Sequence, residues 1–178
     1  MLLALALLAV APNSSIDPIV AFEQLCTQGI ASFPANSLDA TQRKFLPSGV
    51  AAAIKWAVFV GSGLLDDKLG AKIDNPALAV RHSNPKIYIL PPMPGAKPND
   101  ALGRSCSVVV EGDRYAQTKA EVLRLANLRD KPSPLVKKGG WEFPHVRVVV
   151  GTYQVAAEFE AGWTALVATP LDSLPPSK

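Results

Sequence analysis

Two cysteines and two histidines have the most versatile chemistry in this chain. Cys26, Cys106, His82 and His145 could bind a metal, form a nucleophile and its base, or contribute a disulfide. A structural zinc site needs about four ligands at close spacing, whereas these residues lie far apart in the sequence. No histidine adjoins a cysteine, and the sequence indicates no carboxylate partner for either imidazole. The sequence therefore assigns no metal ligand and no catalytic residue.

The chain begins MLLALALLAVAPNSS, an apolar run of about eleven residues that ends at Ala9-Val10-Ala11. Such a run is too short to cross a bilayer, and its small residues are typical of a signal-peptide cleavage site. We expect a signal peptide over residues 1–11, a periplasmic or secreted location, and no transmembrane span in the mature chain. The alternative is a buried N-terminal helix.

Both cysteines fall on predicted core faces. Cys26 lies with Phe22 on the apolar stripe of a first helix, and Cys106 shares a strand face with Val108 and Val110. In an exported chain, two inward-facing cysteines favour a disulfide. The chain-entropy model gives such a bond about 4 kcal/mol of stabilisation. Two buried free thiols and a catalytic thiol are the alternatives.

The composition is that of a globular protein. A length of 178 residues with 48% hydrophobic and 19% charged residues fits one folded domain, which we place at residues 12–170 before a flexible tail at 171–178. The net charge of +3 is too small to indicate a nucleic-acid partner. The glycines of VFVGSGLLDDKLG lack the flanking residues of a phosphate or dinucleotide loop, so no cofactor is predicted.

Apolar periodicity and turn residues predict the elements. A first helix begins after Asp17, a second is expected over Leu38–Phe45, and a third follows Asp113. PPMPGAKPND is a loop, and strands are expected in AAIKWAVFVGSG, ALAVRH, KIYIL, SCSVVVEG, HVRVVV, YQVAAEF and WTALVAT. Alternation over residues 153–160 directs one face to a core and the other to water. This order favours an α+β domain, a mostly antiparallel sheet with helices packed on one face.

Basic and aromatic residues cluster between residues 124 and 147. The cluster could form a basic binding patch for an anionic component of the cell envelope, since a cation and an aromatic ring can share one contact site. Its candidate members are Lys131, Lys137, Lys138, Trp141 and Arg147. The alternative is a solvated helix end and loop.

Short patterns along the chain resemble a loose group of small exported proteobacterial proteins of unassigned function. The patterns are the leader, FEQLC, CSVVVEGDRYAQTKAEVLRLA and GWTALVAT. The resemblance implies export, a compact α+β fold and a paired structural role for Cys26 and Cys106. It implies no catalytic residues.

These observations favour a non-enzymatic binding or accessory protein of the cell envelope. A leader and a compact fold without an assembled catalytic constellation support this hypothesis, and its partner would be an envelope protein or an anionic envelope component. The alternative is a small hydrolase that uses His82 or His145 with a loop serine or aspartate.

Overall fold

The computed structural model describes residues 17–27, 38–42, 46–59, 76–80, 85–126, 135–138 and 141–174. Within these ranges the chain forms an eight-stranded sheet and four α-helices. The helices are α1 (Pro18–Phe22), α2 (Ser48–Phe59), α3 (Ala101–Arg104) and α4 (Tyr115–Leu125). The strands are β1 (Leu38–Gln42), β2 (Pro76–Val80), β3 (Ile87–Leu90), β4 (Cys106–Glu111), β5 (Leu135–Lys138), β6 (Trp141–Val150), β7 (Tyr153–Glu160) and β8 (Trp163–Pro170). The predicted α+β class is confirmed.

The sheet consists of two antiparallel meanders. Strands β1 to β4 follow one another in space, strands β5 to β8 do the same, and the full order is β1-β2-β3-β4-β8-β7-β6-β5. The meanders join where β4 pairs with β8, in a register from Cys106↔Ala168 to Glu111↔Trp163. All seven pairings are antiparallel, which agrees with the mostly antiparallel sheet predicted from the sequence.

One face of the sheet is covered by α1 and α4. Phe22 from α1 and Val122 from α4 are fully buried against side chains that alternate along the strands, among them Val108, Val155 and Leu166. Asp17 fixes the start of α1, because its carboxylate accepts a hydrogen bond from the Ile19 amide at 2.8 Å. After Phe22 the helix widens into a π-helix over Glu23–Thr27, in which Leu25 and Cys26 are buried, so the predicted apolar stripe extends to Cys26.

The opposite face is covered by α2 and α3, which corrects the expectation that the helices pack on one face. Val50, Ile54 and Val58 of α2 are buried against Val109 of β4 and Val167 of β8. The face of β7 that was expected to meet water is also closed, since Gln154 and Glu158 are buried. The sequence interpretation missed this because it took the covering helix for a strand.

Two predicted elements have the opposite secondary structure. AAIKWAVFVGSG was predicted as a strand, yet it contributes most of α2; Leu38–Phe45 was predicted as a helix, yet Leu38–Gln42 is β1. Strand β1 exists because its backbone pairs with β2 over five residues, a contact that no local pattern shows. Tertiary pairing outweighs local propensity here.

The ordered chain extends beyond the predicted domain boundary. Leu171–Ser173 form a 3₁₀ turn, Ser173 is buried, and Leu174 packs on the face covered by α2. The tail expected to be flexible from residue 171 therefore includes two packed residues, Ser173 and Leu174. Positions 175–178 lie outside the described residues.

Candidate functional site

A disulfide joins Cys26 to Cys106, as predicted. The α-carbons lie 5.4 Å apart, and the bond ties the π-helix after α1 to the first residue of β4. Since both cysteines of the chain are in this bond, the free-thiol and catalytic-thiol alternatives are wrong. The disulfide also marks the position of a groove.

The groove has a volume of about 450 Å³ and opens beside the disulfide. Its walls come from four separate segments: the end of the first helix, the proline-rich loop, the turn between α3 and β4, and the facing ends of β7 and β8. We call it the disulfide groove and define it by Leu25, Pro92, Met93, Ala96, Arg104, Tyr153, Pro170 and the two half-cystines. Most of these side chains are apolar, so the groove is suited to an apolar ligand.

The loop wall of the groove is held by hydrogen bonds within the loop and to α3. The Met93 amide donates to the Gly103 carbonyl at 2.6 Å, and the Ala96 amide donates to the Met93 carbonyl at 3.1 Å. The Asp100 carboxylate accepts from the Gly103 amide at 2.8 Å and caps α3. PPMPGAKPND is thus a loop, as predicted, with fixed turns that position Met93 and Ala96 before any ligand arrives.

The charged residue of the groove lining is Arg104. Its Nη1 atom donates to the Pro98 carbonyl at 2.9 Å and to Asp172 Oδ1 at 2.8 Å. The Arg104 side chain is 26% exposed, whereas that of Asp172 is 70% exposed. Among the described residues, no group accepts a hydrogen bond from Nε or Nη2. One edge of the guanidinium therefore keeps its donors available.

Tyr153, which lines the groove, and Leu171, which follows the lining residue Pro170, both expose apolar surface. Tyr153 is 41% exposed and Leu171 is 39% exposed, which is high for large apolar side chains. Leu171 is held in this position because its amide donates to the Thr152 carbonyl at 2.9 Å.

The structure describes some of the candidate members of the predicted basic patch, but not all of them. Lys137 and Lys138 lie in β5, and the backbone register pairs Lys138 with Trp141 at the start of β6. Lys131 lies outside the described residues. Arg147 does not fit an exposed patch, because it is half-buried with its Nη2 atom 3.5 Å from the Ala57 carbonyl at the end of α2.

Arg147 belongs instead to a buried polar cluster. The register places it opposite Ala156, so the residues on either side in β7, Gln154 and Glu158, flank it on the same face. Burial lowers the pKa of the Arg147 guanidinium, and the Glu158 carboxylate partly opposes that shift. Arg147 Nε and Gln154 Nε2 are buried without a hydrogen-bond partner in the described structure.

Only one of the two histidines lies among the residues that the structure describes. His82 lies outside the described residues, whereas His145 is in β6 and pairs in register with Glu158. Directly opposite residues of antiparallel strands have β-carbons about 5 Å apart, so an imidazole and a buried carboxylate start from neighbouring backbone positions. Glu158 is fully buried beneath the helix-covered face, which gives a substrate no evident approach to it.

Sequence reasoning found the disulfide but neither Arg104 nor Met93 as a site residue. The groove draws on positions from Leu25 to Pro170, and no spacing rule connects segments so far apart. The proline-rich run PPMPGAKPND was the one indication of the groove in the sequence, because a loop next to the strand that begins with Cys106 can form a wall of a cavity. In the described ranges, no three His, Cys, Asp or Glu side chains gather as a metal site would require.

Neither the helices nor the comparisons with known proteins add a functional assignment. Of the helices that the structure describes, none has both the length and the apolar character needed to cross a membrane. No family model, no curated protein and no solved structure matches this chain.

Proposed function

We propose that this protein is a non-enzymatic binding protein of the cell envelope that holds an apolar ligand in the disulfide groove. The groove itself carries the proposal: a cavity of about 450 Å³ that is lined mainly by apolar side chains and whose loop wall is fixed by hydrogen bonds. Pockets of this volume and lining are typical of small-molecule sites. A wall that is already ordered lowers the entropic cost of binding.

Export is part of the proposal. The apolar run at residues 1–11, which we predict to be a signal peptide, supports it, and so does the Cys26–Cys106 disulfide, because disulfides persist in oxidising compartments such as the periplasm. An envelope protein in this compartment meets lipids, peptides and other amphipathic molecules. The partner class predicted from the sequence, an envelope component, therefore agrees with the apolar groove.

A fluorescent probe tests the proposal directly. N-phenyl-1-naphthylamine is a neutral apolar dye whose emission rises on binding, and we expect it to saturate one site on the native protein. Ala96→Trp places a bulky ring in the groove and should weaken dye binding about tenfold or more, since it occupies the volume that the dye needs.

The matched control is Ala116→Trp, which adds the same ring at an exposed position of α4. It should bind the dye as the native protein does. Circular dichroism shows whether each variant is folded. A native protein that binds no dye, or equal binding by the two variants, would contradict the proposal.

The register His145↔Glu158 favours a second candidate function, a hydrolase that uses His145 as general base. A carboxylate beside the imidazole would orient it and stabilise its charged form. Hydrolysis of p-nitrophenyl acetate tests the idea: His145→Ala should abolish any activity above that of free imidazole. A native protein without such activity, or one whose activity survives the substitution, counts against this candidate.

A further inference from the structure

We infer that the ligand of the disulfide groove is a small apolar molecule that ends in a carboxylate, and that Arg104 binds this carboxylate. The inference rests on the proposed function, because it names the ligand class of the same groove. It is carried by the position of one arginine in an otherwise uncharged lining, together with the guanidinium donors that no described group uses.

The groove lining combines an apolar body with a single charge. Leu25, Met93 and Pro170 offer surface to a hydrocarbon chain, and Arg104 offers a cation at the same cavity. A ligand that matches this pattern has an apolar body and one anionic end. A purely apolar molecule would leave the remaining guanidinium donors unused, and a cation would be repelled.

The guanidinium has the donors that a carboxylate needs. Nη1 is used by the Pro98 carbonyl and Asp172, which fixes the orientation of the planar group. Nε and Nη2 remain, and together they form the fork that pairs with the two oxygens of a carboxylate. A phosphate or sulfonate could also use this fork, and the experiment below separates them from a carboxylate.

Asp172 does not saturate the charge of Arg104. The Asp172 side chain is 70% exposed, and its carboxylate contacts only Nη1 among the described groups, so it forms a largely solvated ion pair. The Arg104 side chain is about three-quarters buried, and a ligand carboxylate inside the groove would meet it in a less polar environment than bulk water. The pairing with the ligand should therefore be the stronger of the two.

Five ten-carbon ligands with different ends test the inference by calorimetry. We expect decanoate to bind the native protein about tenfold or more tightly than decan-1-ol, because a hydrogen bond to a charged group contributes more than a neutral one. Decylammonium should bind more weakly than the alcohol. Decyl phosphate and decyl sulfonate show whether the carboxylate is preferred among anions.

Two variants locate the effect. Arg104→Met should remove the preference for decanoate and leave the affinity for decan-1-ol nearly unchanged. Lys97→Met is the matched control, since Lys97 is an exposed cation of the same loop outside the groove lining, and it should keep the preference. The decylammonium comparison needs no variant, so it stands even if Arg104→Met fails to fold.

The outcomes distinguish a failure of this inference from a failure of the proposed function. If decan-1-ol binds as tightly as decanoate, the groove binds apolar ligands, but Arg104 does not bind a ligand carboxylate and the inference is wrong. If decyl phosphate or decyl sulfonate binds more tightly than decanoate, the carboxylate assignment is wrong. If none of the ligands binds, the proposed function fails as well.

Discussion

At the scale of single residues, the most demanding feature is a charge pair held beneath a helix. Arg147 and Glu158 lie on neighbouring strands, on the face that α2 covers, and Glu158 has no exposed surface. Burying charges costs free energy unless they are compensated. Arg147 compensates Glu158 electrostatically, and it also lies at the carboxyl-terminal end of α2, where a cation interacts favourably with the helix dipole.

We predict that Arg147→Met destabilises the fold by about 3 kcal/mol, because the Glu158 carboxylate stays buried after one opposing charge is lost. Adding Glu158→Gln should restore part of this loss. Urea unfolding of the two single variants and the double variant measures the coupling.

Arg124→Met is the control for Arg147→Met. Arg124 pairs with Glu121 and Glu23 on the surface, where ion pairs contribute little, so its loss should barely change the unfolding midpoint. Additive effects of Arg147→Met and Glu158→Gln would mean that the two side chains do not interact.

At the scale of elements, α2 shows both what the sequence could reveal and what was missed. Its buried residues recur at helical spacing, Val50, Ala53, Ile54, Ala57 and Val58, and that period was available in the sequence. The aromatic and β-branched run WAVFV suggested a strand and obscured it. The strands β3, β4, β6, β7 and β8 were predictable, because each is a clear apolar run between turn residues.

The burial of Gln154 and Glu158 could not be predicted in the same way. Polar residues at alternate positions normally indicate a solvent-facing side of a strand. Only the helix packed above them reverses that expectation, and its position depends on the whole fold. Pairings such as β4 with β8, and the groove that forms at their ends, have the same non-local origin.

The close packing of α2 on the sheet gives a prediction at the element scale. In an exposed helix, Gly→Ala usually stabilises by about 1 kcal/mol. At Gly49 the added β-carbon would lie 2.5 Å from Trp163 Cδ1 and 2.8 Å from the Ala161 carbonyl oxygen, so α2 would have to move away from the β7–β8 turn. We expect Gly49→Ala to lower the thermal midpoint instead.

The neighbouring exposed position provides the control for Gly49→Ala. Ser48→Ala changes a solvent-facing residue of the same helix turn and should leave the midpoint nearly unchanged. Differential scanning calorimetry compares the two variants with the native protein. A higher midpoint for Gly49→Ala would show that α2 can shift at little cost.

At the scale of the whole molecule, we predict export, which would place the folded chain in an oxidising compartment. We expect the protein purified from its native host to lack residues 1–11 and to begin near Pro12. Mass spectrometry of the intact protein measures this, with protein made in a secretion-blocked strain as the control. An intact Met1 on a cytoplasmic protein would overturn the localisation.

The disulfide should contribute to stability, and its two half-cystines also line the groove. It closes a loop between residues separated by 80 positions and holds the segment after α1 against the central strand β4. In the chain-entropy model such a link stabilises by about 4 kcal/mol. Reduction should therefore lower the thermal midpoint of the native protein, and the double variant Cys26→Ala and Cys106→Ala should not respond to reductant.

Reduction of the Cys26–Cys106 disulfide should also weaken ligand binding in the groove. Without the bond, Leu25 and the π-helix are no longer tied to β4, and one wall of the groove loses its fixed position. We expect binding of N-phenyl-1-naphthylamine to fall severalfold on reduction at a temperature where circular dichroism shows that the fold persists. The double alanine variant should bind weakly with or without reductant. Unchanged dye affinity in the reduced, folded protein would mean that the disulfide stabilises the domain without shaping the groove.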